Sequence, residues 1–346
     1  LQNDQLVKPV ESFLNKYKSI TNQAMFGSIP TKEPRKYLYD LVPAYPKRAG
    51  KGLRPGLCIA TCRAFGGKLE AALPSAVSIE LFHNAFLVHD DIADESDYRR
   101  GEPTLYKEHG IGIALNVGDA MNVLSIRPLM ANLASLGPTL TWQIFSEVEH
   151  MVRQSVEGQA TEIGWVRDNI WDLSEDDYLR MTLKKTCWYT CIHPCRIGAL
   201  IASGGAIDAD RFNRFGYYMG TAFQIQDDIL NLVGDKKKYG KEIGGDIWEG
   251  KRTLILIHLL NQCNPGENEF LRHFLSRPRR ERRERDVRRI YRLMSKYQSI
   301  EYAISSAKQL AGGALREFVV AYRDAPDSED KDFIQNIVLY MIERDL

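Results

Sequence analysis

The sequence predicts an all-α protein, and three observations predict it. Long stretches without glycine or proline carry apolar residues at helical spacing. Strictly alternating strand patterns are scarce, and no helix is bracketed by the short connections of a βαβ unit. Gly- and Pro-bearing breaks at 49–55, 66–74, 137–138, 204–209 and 234–245 fall where those helices should stop. With 346 residues, 44% of them hydrophobic, the chain can bury a sizeable core. None of the breaks has the composition of a linker. A single domain over 1–346 is expected, with its motif-bearing core at about 45–260 and C-terminal helices to 346.

The elements follow in order. Residues 75–94, SAVSIELFHNAFLVHDDIAD, form a helix so apolar that it should be buried nearly all round. Ser174 precedes EDDYLRMTLKKTCWYT and is a good N-cap, with acids across the first turn and basic residues later. Residues 217–232, YYMGTAFQIQDDILNL, give another mostly apolar helix ending in acids, and a further helix covers 253–260. The run RPRRERRERDVRR at 277–289 is basic, but Glu281, Glu284 and Asp286 punctuate it and no aromatic intervenes. It reads as a solvated face and not as a nucleic-acid site.

Charge and composition narrow the function classes. A formal net charge of +1 gives no bulk preference for nucleic acid or an acidic membrane. No run of about 18 uncharged apolar residues suggests a membrane span. The opening LQNDQLVKPV has neither a secretory layout nor an initiator Met, so a cytoplasmic location is expected unless a trimmed start hides a targeting segment. Cys187, Cys191 and Cys195 are four apart and would stack on one helix face. With no fourth ligand beside them, these and Cys58, Cys62 and Cys263 read as core thiols in a reducing compartment.

Two acidic turns stand out. Asp90, Asp91 and Asp94 end one apolar helix, and Asp227, Asp228 and Asn231 end the other. Residues four apart on a helix differ by about 40°, so the outer members of each set share a face. Gathering such carboxylates is unfavourable unless cations neutralise them. Oxygen-only ligands without a His or Cys cluster point to a hard ion, most naturally Mg²⁺. One such turn could be a solvent-facing acidic patch. Two, each at the end of a long apolar helix, would face each other as a mouth over an apolar cavity. A metal held there needs a partner that tolerates charge, and diphosphate meets this. The cations for it are near: Arg99 and Arg100 follow the first acids, Lys51 and Arg54 lie in KGLRP, Lys185 in KKT, Lys241 before GGD, and Lys251 in EGKRT. Arg offers a fork for phosphate oxygens and Lys a point charge.

On these residues the chain resembles the trans-type isoprenyl diphosphate synthases, the polyprenyl synthetase family, and within it the geranylgeranyl diphosphate synthases. The elements that carry the resemblance are KGLRP, ELFHNAFLVHDDIAD, RRGEPTLYKEHG, NVGDAMN, EGQ at 157–159, KKT at 184–186, GTAFQIQDDILNLVGD and GKEIGGDIWEGKRT, over roughly 51–253. The resemblance implies an all-α, single-domain isoprenoid synthase fold, a helical bundle around a deep central cavity, assembled as a homodimer. It implies condensation of isopentenyl diphosphate with an allylic diphosphate, with three Mg²⁺ ions per site for which Mn²⁺ could substitute. Carried over by position, Asp90 and Asp94 would hold two of these ions and Asp227 the third, with Asp91 and Asp228 in support. Arg99, Lys185, Lys241 and Lys251 would contact the allylic diphosphate, and Lys51, Arg54, His83 and Arg100 the isopentenyl diphosphate. Gln224, Thr186 and Gln159 would lie near the reacting carbons. Asn231 departs from the family pattern, which often has a third Asp there; since the first Asp carries most of the metal contact, little weakening is expected. Neither the N-terminal 40 residues nor the 277–289 run belongs to that pattern.

Product length is then a property of the cavity floor, one and two turns before Asp90. Ala85 would open space and Phe86 narrow it, about 100° apart on the helix. Met121, Val123 and Leu124 on the facing helix would supply medium-sized walls. This favours geranylgeranyl diphosphate (C20) over farnesyl diphosphate (C15) or products of C25 and longer. Two readings of other classes compete. A class I terpene cyclase has a different second metal motif and no use for KGLRP, His83 and Arg100. A non-catalytic subunit of a heteromeric synthase should have lost acids or cations that are kept here.

Overall fold

The computed structural model describes residues 2–48, 50–233 and 244–343, and it is built almost wholly of helices. The chain opens with α1 (Gln2–Ser28), α2 (Ala44–Lys47), α3 (Leu53–Ala64) and α4 (Leu69–Ala93), then a hairpin of β1 (Tyr98–Arg99) and β2 (Glu102–Pro103). It continues with α5 (Leu105–His109), α6 (Ile111–Arg167) and α7 (Glu175–Thr182), which runs into a π-helical segment, Leu183–Ile192. Next come α8 (His193–Ser203), α9 (Asn213–Val233), α10 (Gly245–Glu249), α11 (Leu254–Gln262) and α12 (Pro265–Leu275). The last are α13 (Glu284–Lys296), α14 (Ser299–Ala321) and α15 (Glu329–Glu343).

Apolar surface on nearly every side of α4 decides the layout. Such a helix is stable only when surrounded, and α3 and α6 pack along it while α9 packs against the π segment and α14. One large core joins α3, α4, α8 and α9 through residues such as Leu57, Ile79, Ile197 and Phe215, all fully buried. A second, built on Ile229, Ile255 and Leu271, holds α9 to α11–α14. Among the described residues α4 is the helix long and apolar enough to cross a membrane, but 72% of its apolar stretch is buried inside the protein.

Most expected breaks are present. Gly137 (φ 78°, ψ 169°) interrupts α6 just before Pro138, and Gly204 closes α8 in the left-handed region. Ser174 caps α7 in a reciprocal capping box with Asp177. The expected stop at 66–74 needs correction: α4 begins at Leu69 and runs through Pro74. The carbonyl that Pro74 cannot bond belongs to Glu70, an exposed residue near the start of the helix. Most of the break at 234–245 lies outside the described residues.

The 277–289 run also differs from expectation. Arg280, Arg285 and Arg288 are solvated. Arg282, however, is buried and donates to the carbonyls of Leu275, Ile247, Trp248 and Arg277, tying together the ends of α10 and α12. Val287, Ile290, Leu293 and Met294 bury the inner face of α13. The six cysteines form no disulfide, and all but the half-buried Cys263 are buried.

Away from the acidic turns, a polar knot joins α6 to α8. His193 Nδ1 donates to Glu147 Oε2 (2.8 Å), so its Nε2 accepts from His150 Nδ1 (2.9 Å), while Arg196 clasps both Glu147 oxygens (2.6 and 2.7 Å). Burial pushes His193 down to about 4. Burial opposes Glu147's charge too, but hydrogen bonds from Arg196 and His193 outweigh it and hold that carboxyl at about 2.

Three predictions follow from this packing. Gly137→Ala forces a side chain into a conformation that only glycine adopts readily, and should cost about 1–3 kcal/mol in urea unfolding. Gly164→Ala, in open space within α6, should stabilise by up to about 1 kcal/mol. In acid, the unfolded chain protonates its histidine from its ordinary 6.5 downward, before folded His193 does. Stability should therefore fall as pH drops from 6.5 toward 4, and Glu147 should extend the loss toward 2. Melting temperatures from pH 7.5 to 4 would show this, and His193→Asn should flatten the upper part of the slope.

Candidate active site

The carboxyl ends of α4 and α9 converge on one cavity of about 390 Å³. Loop residues Lys51 and Gly52, the start of α3, the π segment and α10 complete its walls, while Leu14 of α1 and Tyr340 of α15 reach its mouth. A carboxylate at a helix C-terminus has the wrong sign for the helix dipole. The site therefore collects negative charge on negative helix ends, and the surrounding cations compensate for both.

The acids divide into distinct roles. Asp90 borders the cavity, accepting from Gln159 Nε2 (3.1 Å) with Lys185 Nζ at 3.9 Å and Arg99 Nη2 at 3.5 Å. Asp91 turns away into the protein, where it is 1% exposed and accepts from Tyr45 Oη (2.5 Å) and Arg99 Nε (2.8 Å). Asp94 caps α4 and takes Lys251 Nζ at 2.6 Å. Burial, reinforced by Asp90's like charge and opposed by Lys251, raises Asp94 to about 7. Across the cavity, Asp227 lines the wall. Asp228 is buried and accepts from Gln224 Nε2 (2.9 Å) and Tyr178 Oη (2.8 Å). Burial raises it to about 7 against those two hydrogen bonds. Thr186 Oγ1 donates to Gln224 Oε1 (2.7 Å), which fixes the glutamine amide over the cavity. Asn231 Oδ1 accepts from the backbone N–H of Asp246 (3.1 Å), holding α10 against α9.

The cations form two groups. Arg99, Lys185 and Lys251 stand beside the acids. Lys185 bonds Glu162, and although burial opposes its charge, Glu162 and Asp90 keep its pKa raised. Lys251 also reaches Glu249 (2.7 Å), which in turn is held by Arg279 Nη1 (3.4 Å). Part of the arginine-rich run thus braces the Asp94 corner. The π segment brings Lys185, Thr186 and Tyr189 onto the cavity together, and Gly158 of EGQ lets α6 touch the backbone there, where any Cβ would overlap Lys185.

Lys51, Arg54, His83 and Arg100 make the second group. Arg54 donates to His83 Nε2 (3.3 Å), Tyr189 Oη (2.7 Å) and Thr190 Oγ1 (2.8 Å), while its buried Nε and His83 Nδ1 have no hydrogen-bond partner among the described residues. Burial and the charges of Arg54, Arg100 and Arg99 keep His83 neutral. Arg100 takes a positive φ of 55° in the hairpin turn, followed by Gly101 at 82°. Burial, with Arg99 and Arg54 nearby, pulls Arg100 down to about 10, still charged at neutral pH. Lys241 lies outside the described residues.

The expected chain-length positions separate. Ala85 and Met121 are fully buried in a closed cluster with Val42, Tyr45, Val88 and Val117. Phe86 is half-buried and meets the cavity-lining Tyr189 edge-on at 5.6 Å. Leu124 is half-buried. Val123 is 68% exposed and forms no interior wall, a correction that follows from the 100° step between neighbours on a helix. Sequence reasoning missed Tyr45, Tyr178, Glu162, Glu249 and Tyr189. Tyr189 alone carried a signal, one turn beyond Lys185 in KKTCWYT.

The carboxylates fit a divalent metal in a particular way. Among the described residues no three His, Cys, Asp or Glu side chains converge to cage an ion. Mg²⁺ suits this, since it takes one or two carboxylates and completes its shell with water and phosphate oxygens. Asp94, at the end of α4, is held by Lys251 Nζ at 2.6 Å beside Glu249. Asp90, Asp94 and Asp227 would be the protein's ligands.

An all-α cavity with opposed acidic ends and two cation groups defines a diphosphate-handling transferase. The polyprenyl synthetase model matches residues 35–294. A geranylgeranyl diphosphate synthase of Saccharolobus solfataricus is 32% identical over 280 residues, 80% of this chain and 82% of that one. A geranylfarnesyl diphosphate synthase of Aeropyrum pernix is 32% identical over 86% of this chain and 91% of that one. The crystal structure of a geranylgeranyl pyrophosphate synthetase from Pyrococcus horikoshii superposes over 100% of both chains with a TM-score of 0.85 at 28% identity. The chain belongs to the polyprenyl synthetase family and is a trans-type isoprenyl diphosphate synthase, a Mg²⁺-dependent prenyltransferase that condenses isopentenyl diphosphate with an allylic diphosphate.

The unequal surroundings of neighbouring acids give a test. Asp91→Ala leaves buried Arg99 with only the longer 3.5 Å contact to Asp90, and should cost about 3–5 kcal/mol in guanidinium unfolding. Asp90→Asn should change stability by less than about 1 kcal/mol, yet lower condensation by roughly 10²-fold or more.

Proposed function

We propose that this chain works as one domain in a homodimeric geranylgeranyl diphosphate synthase, making the C20 product with three Mg²⁺ ions per site. The observation that carries the reading is the pair of cation groups lining one cavity, together with the bonded Thr186 and Gln224. Lys185, Lys251 and Arg99 beside Asp90 suit the allylic diphosphate. Lys51, Arg54 and Arg100, with neutral His83, suit the isopentenyl diphosphate.

The residues divide the chemistry accordingly. Mg²⁺, when bound, offsets the charge that gathers on the departing diphosphate. Lys185 and Lys251 supply fixed positive charge at the same place, and their pairing with Glu162 and Asp94 keeps them protonated. The allylic C–O bond breaks with its electron pair leaving on diphosphate. The double bond of isopentenyl diphosphate, held by the second well, forms the new C–C bond to the allylic cation. Loss of a proton from the adjacent carbon restores a double bond, and the released diphosphate is the acceptor. The Thr186–Gln224–Asp228 chain of hydrogen bonds keeps the reacting region ordered.

The C20 length is supported by the geranylgeranyl diphosphate synthases among the relatives. The homodimer is supported by an apolar stripe along α6, with Ile111, Leu115, Ile126, Met130, Leu133 and Trp142 between 43% and 73% exposed.

Incubation with Mg²⁺, labelled isopentenyl diphosphate and C5, C10 or C15 allylic diphosphates should give mainly C20 on chromatography. Phe86→Ala should lengthen the product. A C15 stop would overturn the C20 assignment and make Phe86 with Tyr189 the floor. No product from any primer would overturn the synthase reading and favour a non-catalytic subunit.

A further inference from the structure

We propose that Lys18 of the N-terminal helix is a further cation of the isopentenyl diphosphate well, a role that rests on the function proposed above. Lys18 belongs to none of the sequence motifs and lies outside the family match at 35–294. Its position is nonetheless well fixed. One residue earlier, Tyr17 Oη donates to Asp330 of α15, which also takes Arg63 Nε of α3 at 2.9 Å. Phe13 stacks on Phe333 with centroids 5.3 Å apart. One turn before Lys18, Leu14 lines the cavity.

The lysine stem then crosses the loop that carries Lys51 and leads to Arg54. A Cβ added to Gly52 would sit 2.7 Å from Lys18 Cβ, and one added to Gly50 would sit 2.6 Å from the Arg100 guanidinium. Lys18 and Arg100 therefore straddle one three-residue loop, and glycine at 52, with φ 65°, permits the close approach.

The charges around Lys18 do not balance. It is half-buried and makes no hydrogen bond or ion pair among the described residues. Burial and the charge of Arg100 pull its pKa down, and Glu80 opposes them. That same buried Glu80 also serves Arg54 and Arg100, so one carboxylate faces three cations. A partly desolvated ammonium beside a guanidinium is unfavourable until an anion arrives. The anion that fits is a diphosphate. The well on this side has no metal-binding acids, so side-chain cations must hold the group unaided. Lys185, Arg99 and Lys251 pair instead with Asp90 and Asp94.

The test uses Lys18→Met and Lys18→Arg in the full chain. A hydrogen bond to a charged group is worth about 1.5–3 kcal/mol. Lys18→Met should thus raise the KM for isopentenyl diphosphate roughly tenfold or more. The allylic KM and kcat should stay within about twofold, Lys18→Arg should recover most of the loss, and melting temperatures should be unchanged. An unchanged isopentenyl KM in Lys18→Met, or an equal rise in the allylic KM, would overturn the assignment while leaving the synthase reading intact. Calorimetric titration of isopentenyl diphosphate without Mg²⁺ separates the two: wild-type binding that weakens in Lys18→Met supports Lys18 even if no condensation occurs.

Discussion

Carboxylates crowded at the C-terminal ends of two buried helices are the constraint on which the rest of this structure depends. At those ends the helix dipole, burial and mutual repulsion all oppose negative charge. Every nearby element answers that cost. Arg99 and Tyr45 neutralise and bond Asp91, Lys251 meets Asp94, and Gln224 with Tyr178 satisfies Asp228. Asp90 and Asp227 border the cavity itself. Carboxylates and cations gathered at one cavity suit a divalent ion and a diphosphate.

The fold turns this local tension into a two-substrate site. α4 and α9 share one large core, a second core holds the later half of α9, and Asp90 and Asp227 near their ends line the same cavity. The π segment offers Lys185, Thr186 and Tyr189 to the same gap, with Tyr189 serving as acceptor for Arg54 of the second well. The arginine-rich run contributes from behind through Arg279 and Glu249, and Arg282 locks the ends of α10 and α12. Segments outside the family motifs thereby stiffen the corner that holds Asp94.

Much of the fold was legible because its helices are long and strongly patterned. α4 could be read from its apolar run, α7 from the capping of Ser174, and the α6 kink from Gly137–Pro138. The site was legible where one short motif held several charged groups, as with Asp90, Asp91 and Asp94, or Lys251 and Arg252. It was not legible where a partner came from a distant segment. Tyr45 and Asp91 are 46 residues apart, and Tyr178 and Asp228 are 50 apart. No local spacing encodes such a meeting. Asn231 shows the converse case: noted only as a departure from the acidic pattern that should weaken the site little, it is a backbone acceptor that seats α10.

The sequence alone determined the helical class, the two acidic turns, their need for cations and the chemistry that answers it, because residue type and spacing along a helix settle those matters locally. Tertiary structure decided which acid faces the cavity and which is buried in support, since neighbours on a helix step by 100° and only packing chooses the inward face. It also decided that Ala85 and Met121 sit in a closed cluster while Phe86 meets Tyr189. And it carried Lys18 from outside the motifs to the loop at Gly52, through the docking of α1 on α3 and α15.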